Sequence, residues 1–188
     1  MPRLGGGRPE EASPSNSIMT SGGIMNIDND LRRIARQEQE LQFEGFDLET
    51  AWTLGSTLRR MAAERKLGVV IDITLFSMQV FFAALDGATP DNPNWVRRKR
   101  NTVFRLFKSS YATGLSLLKQ QTNLQAKLGL PDAEYAAHGG SFPIVVKGTG
   151  CVGAVTVSGL PQRDDHNLVV EALAELLGAN HDELKLET

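Results

Sequence analysis

Apolar positions recur every three to four residues through Asp28–Glu40, where Leu31, Ile34, Ala35 and Glu38 lie at helical spacing, and this predicts a helix. Leu41–Phe46 reads as a short extended stretch. Asp47 is placed to cap a second helix, Leu48–Arg65, with Ala51, Leu54, Leu58, Met61 and Ala62 on one face and Gly68 closing it. Val69–Leu75 and Met78–Leu85 are rich in β-branched and aromatic residues, and the tight Phe76–Ser77 link predicts an antiparallel hairpin. After a polar turn, Asp86–Pro93, helical spacing runs from Asn94 to about Gln121, with a bend expected near Ser109, Ser110 and Gly114. Residues 122–140 read as irregular. A second hairpin, Ser141–Lys147 and Cys151–Ser158, precedes a last helix from Asp164 or Asp165 to Leu177, its stripe made by Val169, Ala172, Leu173 and Leu176.

Strands joined as hairpins, with helices between them, predict an α+β domain around a mainly antiparallel sheet of five strands. Strands and helices do not alternate singly, so the pattern is not that of a dinucleotide-binding fold. The folded domain is expected over residues 26–188. Residues 1–25 hold five glycines and three prolines, too little apolar surface to offset the entropy of ordering, and are expected to be disordered. Met19 and Met25 are candidate alternative starts.

Composition narrows the function classes. The chain has 188 residues, 41% hydrophobic and 22% charged, with formal net charge −2, an ordinary globular balance. Its single cysteine, Cys151, excludes an intramolecular disulfide and a multi-cysteine metal centre. No apolar run reaches the length of a membrane span, and the expected location is the cytoplasm. Charge is uneven: Arg97, Arg98, Lys99, Arg100, Arg105, Lys108, Lys119 and Lys127 fall in a block, Asn92–Pro131, that has no acidic residue. Such a face suits an anionic ligand, or it pairs with acidic surface elsewhere. A pI near 5.9 and the lack of aromatics interleaved on strands argue against nucleic acid.

Three segments carry candidate chemistry. Trp95 with Arg97 and Arg100 has the composition of an anion pocket. His138-Gly139-Gly140-Ser141 offers a side-chain donor and two glycines that permit a ligand or a second backbone to approach closely. Gly159–His166 leads into the last helix, with Asp165 expected as its cap and His166 as a surface or interface donor. No histidine spacing matches a metal site, no nucleophile elbow is present, and no catalytic residue or metal ligand is assigned.

Taken together, Asn94-Trp95-Val96-Arg97-Arg98-Lys99-Arg100-Asn101-Thr102-Val103, then His138-Gly139-Gly140-Ser141-Phe142-Pro143-Ile144, then Val155–Gln162 with Asp165-His166, resemble the haem-degrading-domain (GlcG/HbpS-like) family over about residues 28–178. The resemblance implies a profilin-like α/β/α fold with a five-stranded sheet, homo-oligomers from dimers upward, and haem or another tetrapyrrole as a possible cofactor. Some relatives hold haem through a histidine of the first helix, whereas Asp28–Arg65 contains none here, and the usual H-G-G-G run ends in Ser141. Two readings follow. In one, an oligomer binds an anionic small molecule through Trp95, Arg97, Arg100, His138, Gly139, Gly140, Ser141, Asp165 and His166. In the other, the basic helix and the 159–166 loop are subunit or partner contacts. An enzyme ranks behind both.

Overall fold

The structure is a computed structural model that describes residues 17–20 and 23–187. Strands β1 (Ser17–Thr20) and β2 (Gly23–Asn26) pair antiparallel as a separate ribbon. The disorder expected for residues 1–25 otherwise falls on positions 1–16, 21 and 22, which lie outside the described residues.

Helices α1 (Ile27–Glu40) and α2 (Leu48–Glu64) begin where short polar side chains satisfy free amides: Asn26 accepts from the Asn29 amide and Asp47 from the Thr50 amide. Strands β3 (Val70–Leu75) and β4 (Met78–Ala84) form the first hairpin, and β5 (Ser141–Val146) and β6 (Gly150–Ser158) the second. The two join through β3 and β6 into one antiparallel sheet, in the order β4-β3-β6-β5. Among the described residues the sheet therefore has four strands, where five were expected. Phe43 makes only a single parallel bridge to Val146, donating to the Val145 carbonyl and accepting from the Lys147 amide. Leu41 and Phe43 are buried while Gln42 and Glu44 are not, so the stretch docks through its side chains and is too short to extend a ladder.

The long basic helix splits at Phe107, which takes a left-handed conformation (φ 54°) and ends α3 (Asn92–Leu106). Ser109 then caps α4 (Ser110–Lys119) by accepting from the Ala112 amide. Gly114 lies inside α4 and marks packing instead of the bend, since a Cβ there would strike the Ala137 carbonyl. A short helix, α5 (Leu124–Leu128), occupies part of the region read as irregular. Helix α6 (Gln162–Leu177) starts two or three residues earlier than expected, directly after Pro161, and α7 (His181–Leu184) brings Leu184 into the core.

The two faces of the sheet differ in chemistry. Ile71, Ile73, Phe142, Ile144, Val155 and Val157 form an apolar core with α2 and α6. The opposite face carries Asp72, Thr74, Ser141, Thr156 and Ser158, all buried, and α3 lies against it. A buried polar face must be satisfied internally. Helix α3 supplies much of that satisfaction, with consequences for its basic residues.

Candidate functional site around His138

The charges of α3 are largely committed within the chain. Arg97 donates to Glu134 at 2.6 Å and to the Ala133 carbonyl at 2.8 Å. The Nε of Arg98 donates to the Asp132 carbonyl at 2.6 Å, and Asn101 donates to the Glu134 carbonyl. Thr102 exchanges hydrogen bonds with the backbone of Ala136. These bonds strap residues 132–136 along the helix and deliver the chain to His138. Arg100 points to the other side, donating to Asp72 and Thr74, each at 3.0 Å. The pairing of basic residues with acidic groups of the same chain is thus the reading that the geometry favours for Arg97 and Arg100, and neither lines a hollow beside His138.

Beyond His138 the chain squeezes between α6 and β6. A Cβ on Gly139 would collide with the Gln162 carbonyl, and one on Gly140 (φ 118°) with the Val157 carbonyl. The close approach that these glycines permit is therefore to the protein's own backbone. Ser141 is fully buried in the sheet, its Oγ 2.8 Å from that of Thr156 and its amide bonded to Ser110. It has no exposure to a ligand.

The Asp165–His166 pair is divided, as neighbours about 100° apart on a helix must be. Asp165 does not cap α6: its Oδ1 accepts from the Leu160 amide at 3.0 Å and its Oδ2 from Lys99 Nζ at 2.8 Å. His166 faces the opposite way and is fully buried, against the rings of Tyr111 and Phe142. Its Nε2 donates to Gln37 Oε1 at 2.8 Å and Nδ1 has no partner among the described residues; fully buried, it is not a surface donor. Burial, reinforced by the charge of Arg163, lowers its pKa to about 3 and keeps the ring neutral.

What the fold brings together is Trp95, Lys99, His138, Leu160, Gln162 and Asp165, around a hollow of about 270 Å³. The rings of Trp95 and His138 meet edge to face, with centroids 5.1 Å apart. Arg98 stacks its guanidinium over the other ring, 4.5 Å from the Trp95 centroid. On the far side of His138 and Gln162 lies a second hollow of about 450 Å³, bounded by Arg98, Leu115, Leu118 and Tyr135. His138 is shared by both. Burial and then the charges of Lys99 and Arg98 hold its pKa below the usual histidine range, so the imidazole is neutral at pH 7. Neither ring nitrogen has a hydrogen-bond partner among the described residues.

Lys99 is the residue that sequence reasoning missed. It lies one turn beyond Trp95 on the buried stripe of Val96 and Val103, and a lysine on such a stripe needs a buried partner. Burial lowers the pKa of Lys99 and raises that of Asp165, against their mutual attraction.

Residues 46–174 match the family model described as haem degrading protein HbpS-like. The chain belongs to that family. A UPF0303 protein of Sinorhizobium medicae (strain WSM419) is 93% identical over 164 residues, covering 87% of this chain and 100% of that protein. The crystal structure of Ybr137w protein superposes with a TM-score of 0.73 at 28% identity, over 79% of this chain and 87% of that one. The PduOC:Heme complex shares the fold, with a TM-score of 0.58 at 13% identity, over 69% of this chain and 94% of that one. Among the described residues no helix is long and apolar enough to cross a membrane, and no cluster of three His, Cys, Asp or Glu side chains is placed for a metal ion.

Proposed function

We propose that this HbpS-like chain binds an anionic small molecule with an apolar body, of the tetrapyrrole class, in the cleft around His138. The observation that carries this reading is His138 itself: a neutral imidazole, open to solvent, with no hydrogen-bond partner among the described residues, set between two hollows. The donor set is compatible with haem. A neutral imidazole is the form that ligates iron, Leu115, Leu118 and Tyr135 supply an apolar wall, and the stacked guanidinium of Arg98 is positioned to meet a carboxylate. When bound, haem would contribute its iron as the acceptor of the imidazole lone pair. The chain's own residues exclude water from one side of the ring and fix its tilt through Trp95. Support from similarity comes from the family description and from the haem complex of a structural neighbour. The proposed setting is the cytoplasm, where one unpaired cysteine is the ordinary state.

The test is a haemin titration followed at the Soret band. Saturable binding at one site per chain, abolished in His138→Ala with the oligomer size unchanged, supports the reading. A non-saturating response, or identical curves for wild type and His138→Ala, removes His138 and haem from it.

A second reading, self-association, is favoured by a different surface from the basic helix. Trp52, Met78 and Phe82 are 62%, 53% and 48% exposed along α2 and the edge strand β4. Apolar side chains beside an unpaired strand edge are the ordinary material of an interface, and we propose that the homo-oligomer forms there.

A further inference from the structure

We propose that the smaller hollow is a carbonyl-binding site, in which Lys99 captures a small aldehyde or ketone as an imine. The proposal does not rest on the tetrapyrrole reading: both touch Trp95 and His138, but this one turns on the Lys99–Asp165 pair, to which that reading gives no contact with the ligand. Three observations carry it. Lys99 lines a hollow of about 270 Å³ that is open to solvent, enough to admit a molecule of a few carbons, with Trp95 and Leu160 as apolar walls. Its side chain is only 4% exposed, and its Nζ is fixed by Asp165 at 2.8 Å and the Val157 carbonyl at 3.2 Å, so the amine is aimed and not swept through solvent. A carboxylate within hydrogen-bond reach is what carbinolamine chemistry needs to carry protons.

As a stabilising device the pair is a weak choice, because the desolvation of two charges offsets most of their attraction. As a reactive pair it has the needed geometry: Nζ and Oδ2 are 2.8 Å apart, and burial works against both charged forms, which lowers the cost of passing the ammonium proton to the carboxylate. The Nζ lone pair then attacks the carbonyl carbon, and the π pair moves to oxygen, which takes the proton held by Asp165. The carboxylate recovers a proton from the nitrogen to leave a neutral carbinolamine. Asp165 returns that proton to the hydroxyl, water departs, and the nitrogen lone pair forms the C=N bond. One water leaves for each imine formed, and the product is an iminium paired with the Asp165 carboxylate, the same charges as at the start. No oxidant or reductant takes part.

The experiment uses the full chain at pH 7 with propionaldehyde and cyanoborohydride, which reduces any imine to a stable propyl-lysine, followed by peptide mass mapping. Lys99 is expected to be labelled first, faster by about tenfold for each pH unit by which it deprotonates more easily than a surface lysine. Lys99→Arg, which keeps a cation beside Asp165, loses that label, and Asp165→Asn slows it. Its haemin titration is expected to match wild type, which separates failure here from failure of the tetrapyrrole reading. Labelling of Lys119, Lys147 and Lys185 with Lys99 unmodified overturns the proposal, and wild-type mapping alone delivers that result even if a variant fails to fold.

Discussion

His166 and Lys99 show how burial sets the chemistry of a side chain more strongly than its sequence neighbours do. A fully buried neutral histidine refuses the proton that the unfolded chain accepts near pH 6.5. Its contribution is complete above that pH and is lost as pH falls toward the folded value of about 3. Stability is therefore expected to fall by about 1.4 kcal/mol per pH unit below pH 6 through this residue alone. Urea midpoints for wild type and His166→Asn between pH 7.5 and 5 check it: the two slopes should differ by about one proton, and parallel slopes would refute the assignment. Lys99 and Asp165 form a buried pair, so removing one partner leaves a charge uncompensated. Lys99→Met is expected to cost about 3–5 kcal/mol, and the double change Lys99→Met with Asp165→Leu to recover part of it, read from denaturation curves. Sequence spacing pointed to Arg97 and Arg100 because they are basic and near Trp95. It did not show that Lys99, on the buried stripe between them, is the cation that meets the hollow.

Among elements, the segment from Pro131 to Ser141 is the one that the tertiary structure defines. It has almost no regular structure of its own, and its path is set by α3 on one side and by the start of α6 and the end of β6 on the other. Gly139 and Gly140 are the points where this path has no room for a side chain. Gly139→Ala and Gly140→Ala are each expected to destabilise by about 1–3 kcal/mol or more, and Gly45→Ala, whose Cβ meets nothing within 4 Å, to be nearly neutral. Thermal unfolding of the three variants decides this, and equal Tm values would show that the strap relaxes freely. Helix α3 was legible from its period, and both hairpins from their β-branched runs and turns. The missing fifth strand was not, because Leu41 and Phe43 alternate with polar residues as a strand does while only one of them meets a partner backbone.

For the whole molecule, the decisive contrast is between a basic helix turned inward and an apolar edge turned outward. Arg97, Lys99 and Arg100 find Glu134, Asp165 and Asp72 within the chain, so little of that face is left to attract another subunit. Phe82 and Trp52 instead flank a hollow of about 520 Å³ beside β4. Phe82→Lys or Trp52→Lys is expected to lower the mass found by light scattering while leaving the haemin titration intact. Arg97→Ala is expected to leave that mass unchanged. If Arg97→Ala dissociates the particle and the edge variants do not, the basic helix is the interface after all.

The sequence by itself determined the local features: periodic helices, two hairpins, the α+β order, the family to which the chain belongs, and the segments where polar chemistry concentrates. Those follow from backbone propensity and the spacing of apolar residues, which act over a few positions. Only the tertiary structure decided that the sheet stops at four strands, that one face of it is buried and polar, and that Asp165 and His166 turn to opposite sides of α6. It also decided that Lys99, 66 positions from Asp165 along the chain, shares a hollow with His138. Burial and charge pairing depend on what lies across space, and no local pattern encodes which distant carboxylate will meet a given lysine.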